Sequence, residues 1–340
     1  MSIRQGDGSQ GNPYVVDSWD SLVQCCKQSG KYTQFPLEPV RTQDTVIQRG
    51  KLYYDSNNNL ITNPKQADIN TYYENSFELD LNDEYPEGIP IIQDGAGVWC
   101  GLAIEGEFDG RGGTIRNIYM SVGSYGNGLI SFRGTSTWYS VLQNVDILNI
   151  YFVGQAVNNA LIYASTSYDC IMRRCRVSGV LYSANFYHQL GSSGVKLQRC
   201  TFSMFGNIPD CSIFKSSGQN LPANFFTNSV FDFTCPRLRS ICVDTELTVS
   251  ATNCLFTGTY GFTYGASVYG TLNGCVFDFT FPDSIFIQIN TVNVPTVFNI
   301  TKAPTITFAG STANIIQATT SQMQDASWLL SHGFPVGRLT

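Results

Sequence analysis

The feature that most constrains this chain is a short phrase that returns along its length. It reads Asn117-Ile118-Tyr119-Met120, Asn144-Val145-Asp146-Ile147, Arg174-Cys175-Arg176-Val177 and Arg199-Cys200-Thr201-Phe202. It continues as Asn228-Ser229-Val230-Phe231, Asn253-Cys254-Leu255-Phe256 and Gly274-Cys275-Val276-Phe277. The second position falls at 118, 145, 175, 200, 229, 254 and 275, so the steps are 27, 30, 25, 29, 25 and 21 residues. A second phrase lies between the copies: Leu129-Ile130-Ser131-Phe132, Leu161-Ile162-Tyr163, Ser212-Ile213-Phe214, Ser240-Ile241-Cys242-Val243, Ser267-Val268-Tyr269 and Ser284-Ile285-Phe286-Ile287. Asn185-Phe186-Tyr187 stands in where a copy is missing.

Two short strands per repeat, at a period of about 25 residues, predict the coils of a parallel β-helix. A leucine-rich repeat needs a leucine ladder that these positions lack. A β-sandwich uses many short strands but gives no reason for one phrase to recur. The expected fold is all-β: a single-stranded right-handed parallel β-helix with short capping helices at both ends.

Strand alternation assigns the faces. Cys175/Val177, Cys200/Phe202, Ser229/Phe231, Cys254/Phe256 and Cys275/Phe277 point inward, so phenylalanines stack along the axis and cysteine fills a small slot. A metal ladder is disfavoured, because ligands in a row do not surround an ion. The outward position reads Asp146, Arg176, Thr201, Val230, Leu255, Val276. The last three form an apolar stripe that something must cover. The cover is either a segment of the same chain, with the Ala223–Thr227 loop or the part after Thr291 as candidates, or a partner. The partners expected are identical subunits or other proteins of a shared assembly, bound through Val230, Leu255 and Val276, with Phe233 and Phe279 extending the stripe.

A solenoid needs its ends closed. Trp19, Leu22, Val23 and Cys26 lie on one helical face, with Asp17 or Ser18 as cap and Gly30 after the end. Ser321-Gln322-Met323-Gln324 matches a capping box, followed by Ala326, Leu329 and Leu330 and the stops Gly333 and Pro335. The expected organisation is a strand–helix cap with an inserted excursion over 1–76, the β-helix over 77–318, and a capping helix and tail over 319–340. Asp55-Ser56-Asn57-Asn58-Asn59 predicts a hairpin turn within the excursion.

Composition narrows the function classes. Lys and Arg number 20 against 26 Asp and Glu, a net charge of −6, which argues against a nucleic-acid binder. The acidic excess sits early: residues 1–120 hold 9 basic and 17 acidic groups (−8), leaving 11 and 9 (+2) for the rest. No segment has the roughly 18 consecutive apolar residues of a membrane span. The start, Met1-Ser2-Ile3-Arg4, carries no apolar signal region, so synthesis and folding in a cytoplasm are expected. The 11 cysteines are expected to be mostly reduced.

Phe108-Asp109-Gly110-Arg111-Gly112-Gly113-Thr114-Ile115-Arg116-Asn117-Ile118 resembles the "F-D-G-N-G-H-T-I-x-N-L" phrase that begins many right-handed β-helices of the pectate-lyase-like and GLUG types. Gly113 stands where His is frequent. Gly11-Asn12-Pro13-Tyr14-Val15-Val16, the Trp19 helix and Gly30-Lys31-Tyr32 resemble the opening of such bacterial and phage proteins. The resemblance implies the fold, with Ile115 and Ile118 in the core, and leaves function open. The expected function is a structural or adhesive component of a phage particle (tail, fibre or head surface) able to bind host-surface glycan. The alternative is a β-helix polysaccharide lyase or glycoside hydrolase.

The residues give that alternative little. Asp232 and Asp278 stand two coils apart around Thr257, most simply as solvated acids. His188 has no nucleophile phrase beside it, and His332 reads as a helix-end cap. Arg173, Arg174, Arg176 and Arg199 make a small basic patch. No catalytic, cofactor-binding or metal residue is assigned. Loops at Ser183–Ser193 and Ile208–Asn224 are the places where a site across coils can form.

Overall fold

The computed structural model describes residues 3–36, 53–54, 60–61, 77–95, 97–123, 126–156, 158–164, 168, 170–189, 194–216, 225–243, 249–262, 269–280, 285–294, 296–299, 306–310 and 314–332. Its body is a parallel β-solenoid. One sheet runs from Tyr32–Gln34 through Glu107–Asp109, Val141–Gln143, Cys170–Arg173 and Val195–Gln198 to Ile306–Gly310, each strand parallel to the next. A second ladder joins Glu78–Asp80, Thr114–Ser121, Asp146–Val153, Arg176–Tyr182 and Thr201–Ser216. A third joins Trp99–Ile104, Gly126–Phe132, Ala160–Ala164, Asn185–Gln189 and the later part of Thr201–Ser216.

Early coils therefore carry three strands, one more than the two phrases predict. From Thr201–Ser216 onward the second and third ladders run as one long strand, which pairs with Val230–Val243. The second phrase stays equivalent as far as Val243, with Phe214 paired to Cys242, and loses its equivalence after that. Tyr269 and Ile285 pair within the first sheet, not with the ladder of Ile130, Ile162 and Phe214.

The recurring phrase has a conformational cause. Its first residue takes positive φ: Asn144 (53°), Arg174 (53°), Arg199 (56°), Asn228 (53°), Asn253 (53°) and Gly274 (60°). Asparagine and glycine tolerate that region best. This residue and the small buried one after it turn the chain from the first sheet into the second. The copy at Asn117 is out of register. Ile115, not Ile118, pairs with Ile147, and Asn117 sits beside Asn149 in a second left-handed position (φ 59° and 55°). These two asparagines bulge the strand, so that Ile115 and Ile118 both enter the core. The next strand drops the extra residue at Gly179, where a Cβ would strike the Ile150 backbone.

Inside, Phe202, Phe231, Phe256 and Phe277 stack rung upon rung, with ring centroids 5.3, 5.0 and 4.7 Å apart. Each gains roughly 1.5–3 kcal/mol from burial. Cys175, Cys200, Cys254 and Cys275 are buried and lie outside any disulfide. The Cys200 thiol is positioned to donate to the carbonyls of Gln198 and Met172, each at 3.4 Å. Burial pushes the Cys175 thiol well above its ordinary pKa, which suits packing and not metal binding.

The N-terminal end is closed by Ile3–Gln5, antiparallel to Tyr14–Val16, and by the helix Trp19–Cys26. Ser18 is its cap, and Trp19, Leu22, Val23 and Cys26 are buried. Tyr53–Tyr54 and Leu60–Ile61 pair antiparallel, and the Asp55–Asn59 turn they flank lies outside the described residues. At the other end the capping box is Thr319–Gln322, two residues before the expected one. It opens the helix Thr320–Met323, which is followed by Ala326–Ser331. Gly333 and Pro335, like the side chains of Leu329 and Leu330, lie outside the described residues.

Candidate functional site

The second ladder presents the outer face on which the sequence placed its stripe. Its pairings align Asp146, Arg176, Thr201, Val230, Leu255 and Val276 in one row. The C-terminal end of this row is not open. Leu255 and Val276 are only 8% and 6% exposed, and they cluster with Ala318 and Met323, against which Val230, Ile316 and Trp328 also pack. The cover is thus the chain's own end, the segment beyond Thr291. Of the two covers the sequence allows, the segment after Thr291 is the one seated on Leu255 and Val276. Three aliphatic side chains in water are a standing burial gain, and the nearest amphipathic segment takes it. Phe233 does not extend the stripe either. It points inward and packs edge-on to Phe186 at 5.0 Å. The side chain of Phe279 lies outside the described residues.

The next outward row holds Asp232, Thr257 and Asp278 in register. Two rungs separate the carboxylates by about 9.6 Å. Partial burial raises the pKa of Asp232.

The four arginines do not form one patch. The Arg173 Nε donates to Gln143 Oε1 at 2.6 Å, and Arg174 reaches the same oxygen at 3.4 Å. Gln143 in turn donates to Glu107 (2.6 Å) and Asp109 (3.3 Å). Arg176 pairs with Asp146 at 2.6 Å, and Arg199 sits in a left-handed turn. The positive charge is spread over two faces, and Arg176 is ion-paired.

His188 is fully buried, its Nδ1 2.9 Å from the Asn158 carbonyl and its ring edge-on to Tyr163 at 5.2 Å. Burial pushes its pKa down to about 4. Ser131, on the same ladder, donates to Asp94 at 2.9 Å. Tyr163 stands between Ser131 and His188 in the register, which keeps the hydroxyl and the imidazole two rungs apart. His332 caps its helix as expected, its Nδ1 2.8 Å from the Trp328 carbonyl and its ring stacked on that indole. Asn185–Gln189, within the first expected loop, and Ile208–Ser216, within the second, are strand. Among the described residues, no group of three or more His, Cys, Asp or Glu could hold a metal ion.

A feature missed in the sequence lies beyond the asparagine bulge. Tyr119 pairs with Tyr151, Tyr151 with Val180, and Val180 with Phe205. Tyr119, Tyr151 and Phe205 are exposed by 37%, 47% and 48%, and Tyr182 lies one outward position along. The signal was present: once Ile118 is inside, Tyr119 must be outside.

The chain matches no family model, no curated protein and no solved structure.

Proposed function

We propose that the chain is a structural and adhesive solenoid of a bacteriophage particle, carried on its tail, a fibre or the head surface. The observation that supports this reading is the aromatic stack of Phe202, Phe231, Phe256 and Phe277 under parallel ladders. Such a core stiffens a rod whose outer rows are free to vary, which suits display and attachment. Association with other virion proteins or with identical subunits belongs to the same proposal, through surfaces other than the stripe that the C-terminal helices cover. Fractionating particles of a phage that encodes the chain, followed by mass spectrometry, tests the reading. The chain is expected to co-sediment with intact particles. Recovery only from the soluble lysate overturns it.

A second reading is a glycan-cleaving β-helix, favoured by Asp232. Its raised pKa suits a general acid, and Asp278 stands near the upper limit of the roughly 6.5–9.5 Å separation of inverting enzymes. Release of reducing or unsaturated sugar from host capsule, abolished by Asp232→Asn, would support that reading over the first.

A further inference from the structure

We infer that the outer row of Tyr119, Tyr151 and Phe205 is a binding platform for a neutral polysaccharide. The inference deepens the adhesive part of the function proposed above and names its ligand class.

Three observations carry it. First, the rings are ordered by the ladder. Tyr119 and Tyr151 lie on adjacent rungs with centroids 5.8 Å apart and planes 30° from parallel. The Tyr119 ring is seated against the backbone of Gly88, where a Cβ would come within 2.9 Å of it. Gly88 holds φ 112°, a conformation side chains rarely adopt, so the seat depends on glycine. The rung spacing of about 4.8 Å is on the scale of one pyranose ring.

Second, each cation beside the row is paired with acid. Arg116 pairs with Glu78 (2.7 Å) and Asp80 (2.9 Å), and Arg176 with Asp146. An acidic polymer finds no uncompensated cation there, and a nucleic acid finds no basic groove to track its phosphates. A neutral chain loses nothing by that match.

Third, the border is amide. Asn117 donates to Asp80 at 2.8 Å and accepts from Asn149, which forms a polar rail one step from the rings. Exposed aromatic rings beside amide groups suit a ligand with apolar C–H faces and a rim of hydroxyls. That is the chemistry of a hexopyranose.

The test is affinity electrophoresis of the purified chain in gels containing dextran, galactomannan or xyloglucan, with alginate and hyaluronate as acidic comparisons. The expected result is retardation by at least one neutral polymer, unchanged by added salt. Tyr151→Ala and Phe205→Ala are each expected to weaken it roughly tenfold. Tyr139→Ala, at an exposed ring outside this row, is expected to leave it intact. Circular dichroism confirms that each variant is folded. No retardation by any neutral polymer overturns the inference, as does retardation that Tyr151→Ala leaves unchanged. Retention by alginate or hyaluronate alone, lost in salt, overturns it in favour of charge. A wild-type dimer that Tyr151→Ala makes monomeric overturns it in favour of a second copy. Particle co-sedimentation is read independently, so failure of the platform and failure of the virion reading are distinguishable.

Discussion

Phe256 and Phe277 lie on neighbouring rungs with ring centroids 4.7 Å apart and planes within 6° of parallel. The ladder imposes this geometry: Leu255 pairs with Val276 and Thr257 with Asp278, so the rings between them share one column. Phe256→Asp places an unpaired charge in that column and is expected to prevent folding. Phe256→Ala leaves a cavity and is expected to lower the unfolding free energy by about 3–5 kcal/mol. Urea titration followed by tryptophan fluorescence measures it. A fully stable Phe256→Asp chain would show that the column is not the core.

The inward column was legible because strand alternation needs only a correct starting register. The register of the first copy was not legible. Asn144 in a turn and Asn117 in a bulge both take positive φ, and the same residue serves both. Only the pairing of Ile115 with Ile147 separates them. The extra strand of each coil stayed hidden because Glu107–Asp109 and Val141–Gln143 are three residues long and carry no shared phrase. At the C-terminus, Thr319-x-x-Gln322 and Ser321-x-x-Gln324 satisfy one capping pattern equally. The structure adopts the first, and with it Met323 reaches Leu255 and Val276. That is a tertiary preference, which local sequence does not express.

The C-terminal cover has a direct consequence. Leu255→Lys is expected to destabilise the chain by roughly 2–4 kcal/mol and to make the 319–332 segment sensitive to protease. Deleting residues 319–340 uncovers Val230, Leu255 and Val276, and the truncated chain is expected to self-associate. Light scattering and limited proteolysis of both variants check this. A truncated chain that stays monomeric at full stability would show that Met323 and Trp328 shield nothing.

His188 makes stability depend on pH. Its ordinary pKa of 6.5 applies to the unfolded chain, and burial lowers the folded value to about 4. Between these values the unfolded chain binds the extra proton. Stability is therefore complete above about 6.5 and falls as the pH drops toward 4, by at most about 3 kcal/mol. Glu107 and Asp232, whose pKa values burial raises, act in the opposite sense. The informative quantity is thus the difference between wild type and His188→Gln. The Tm of wild type is expected to fall more steeply from pH 7 to pH 5 than that of the variant. Equal slopes would mean that His188 is accessible to protons in the folded chain.

The column of small residues behind the turns is chemically more specific than a row of apolar slots. Ser229 occupies the position of Cys200 and Cys254, and its hydroxyl donates to the Thr227 carbonyl at 2.9 Å. The same oxygen accepts from the Cys200 backbone N–H at 3.1 Å. Cys254 and Cys275 place their thiols near the carbonyls of Thr252 and Asn273, at 3.4 and 3.7 Å. The slot thus asks for a short side chain with a donor. Cys254→Ser is expected to change stability by less than about 1 kcal/mol, because a hydroxyl meets the same acceptor. Ser229→Ala leaves the volume nearly unchanged but takes the acceptor from the Cys200 N–H, and is expected to cost about 1–3 kcal/mol. Urea midpoints of the two variants decide the matter. If Ser229→Ala proves as stable as wild type while Cys254→Ser does not, the slot selects for apolar character and the turn carbonyls play no part in it.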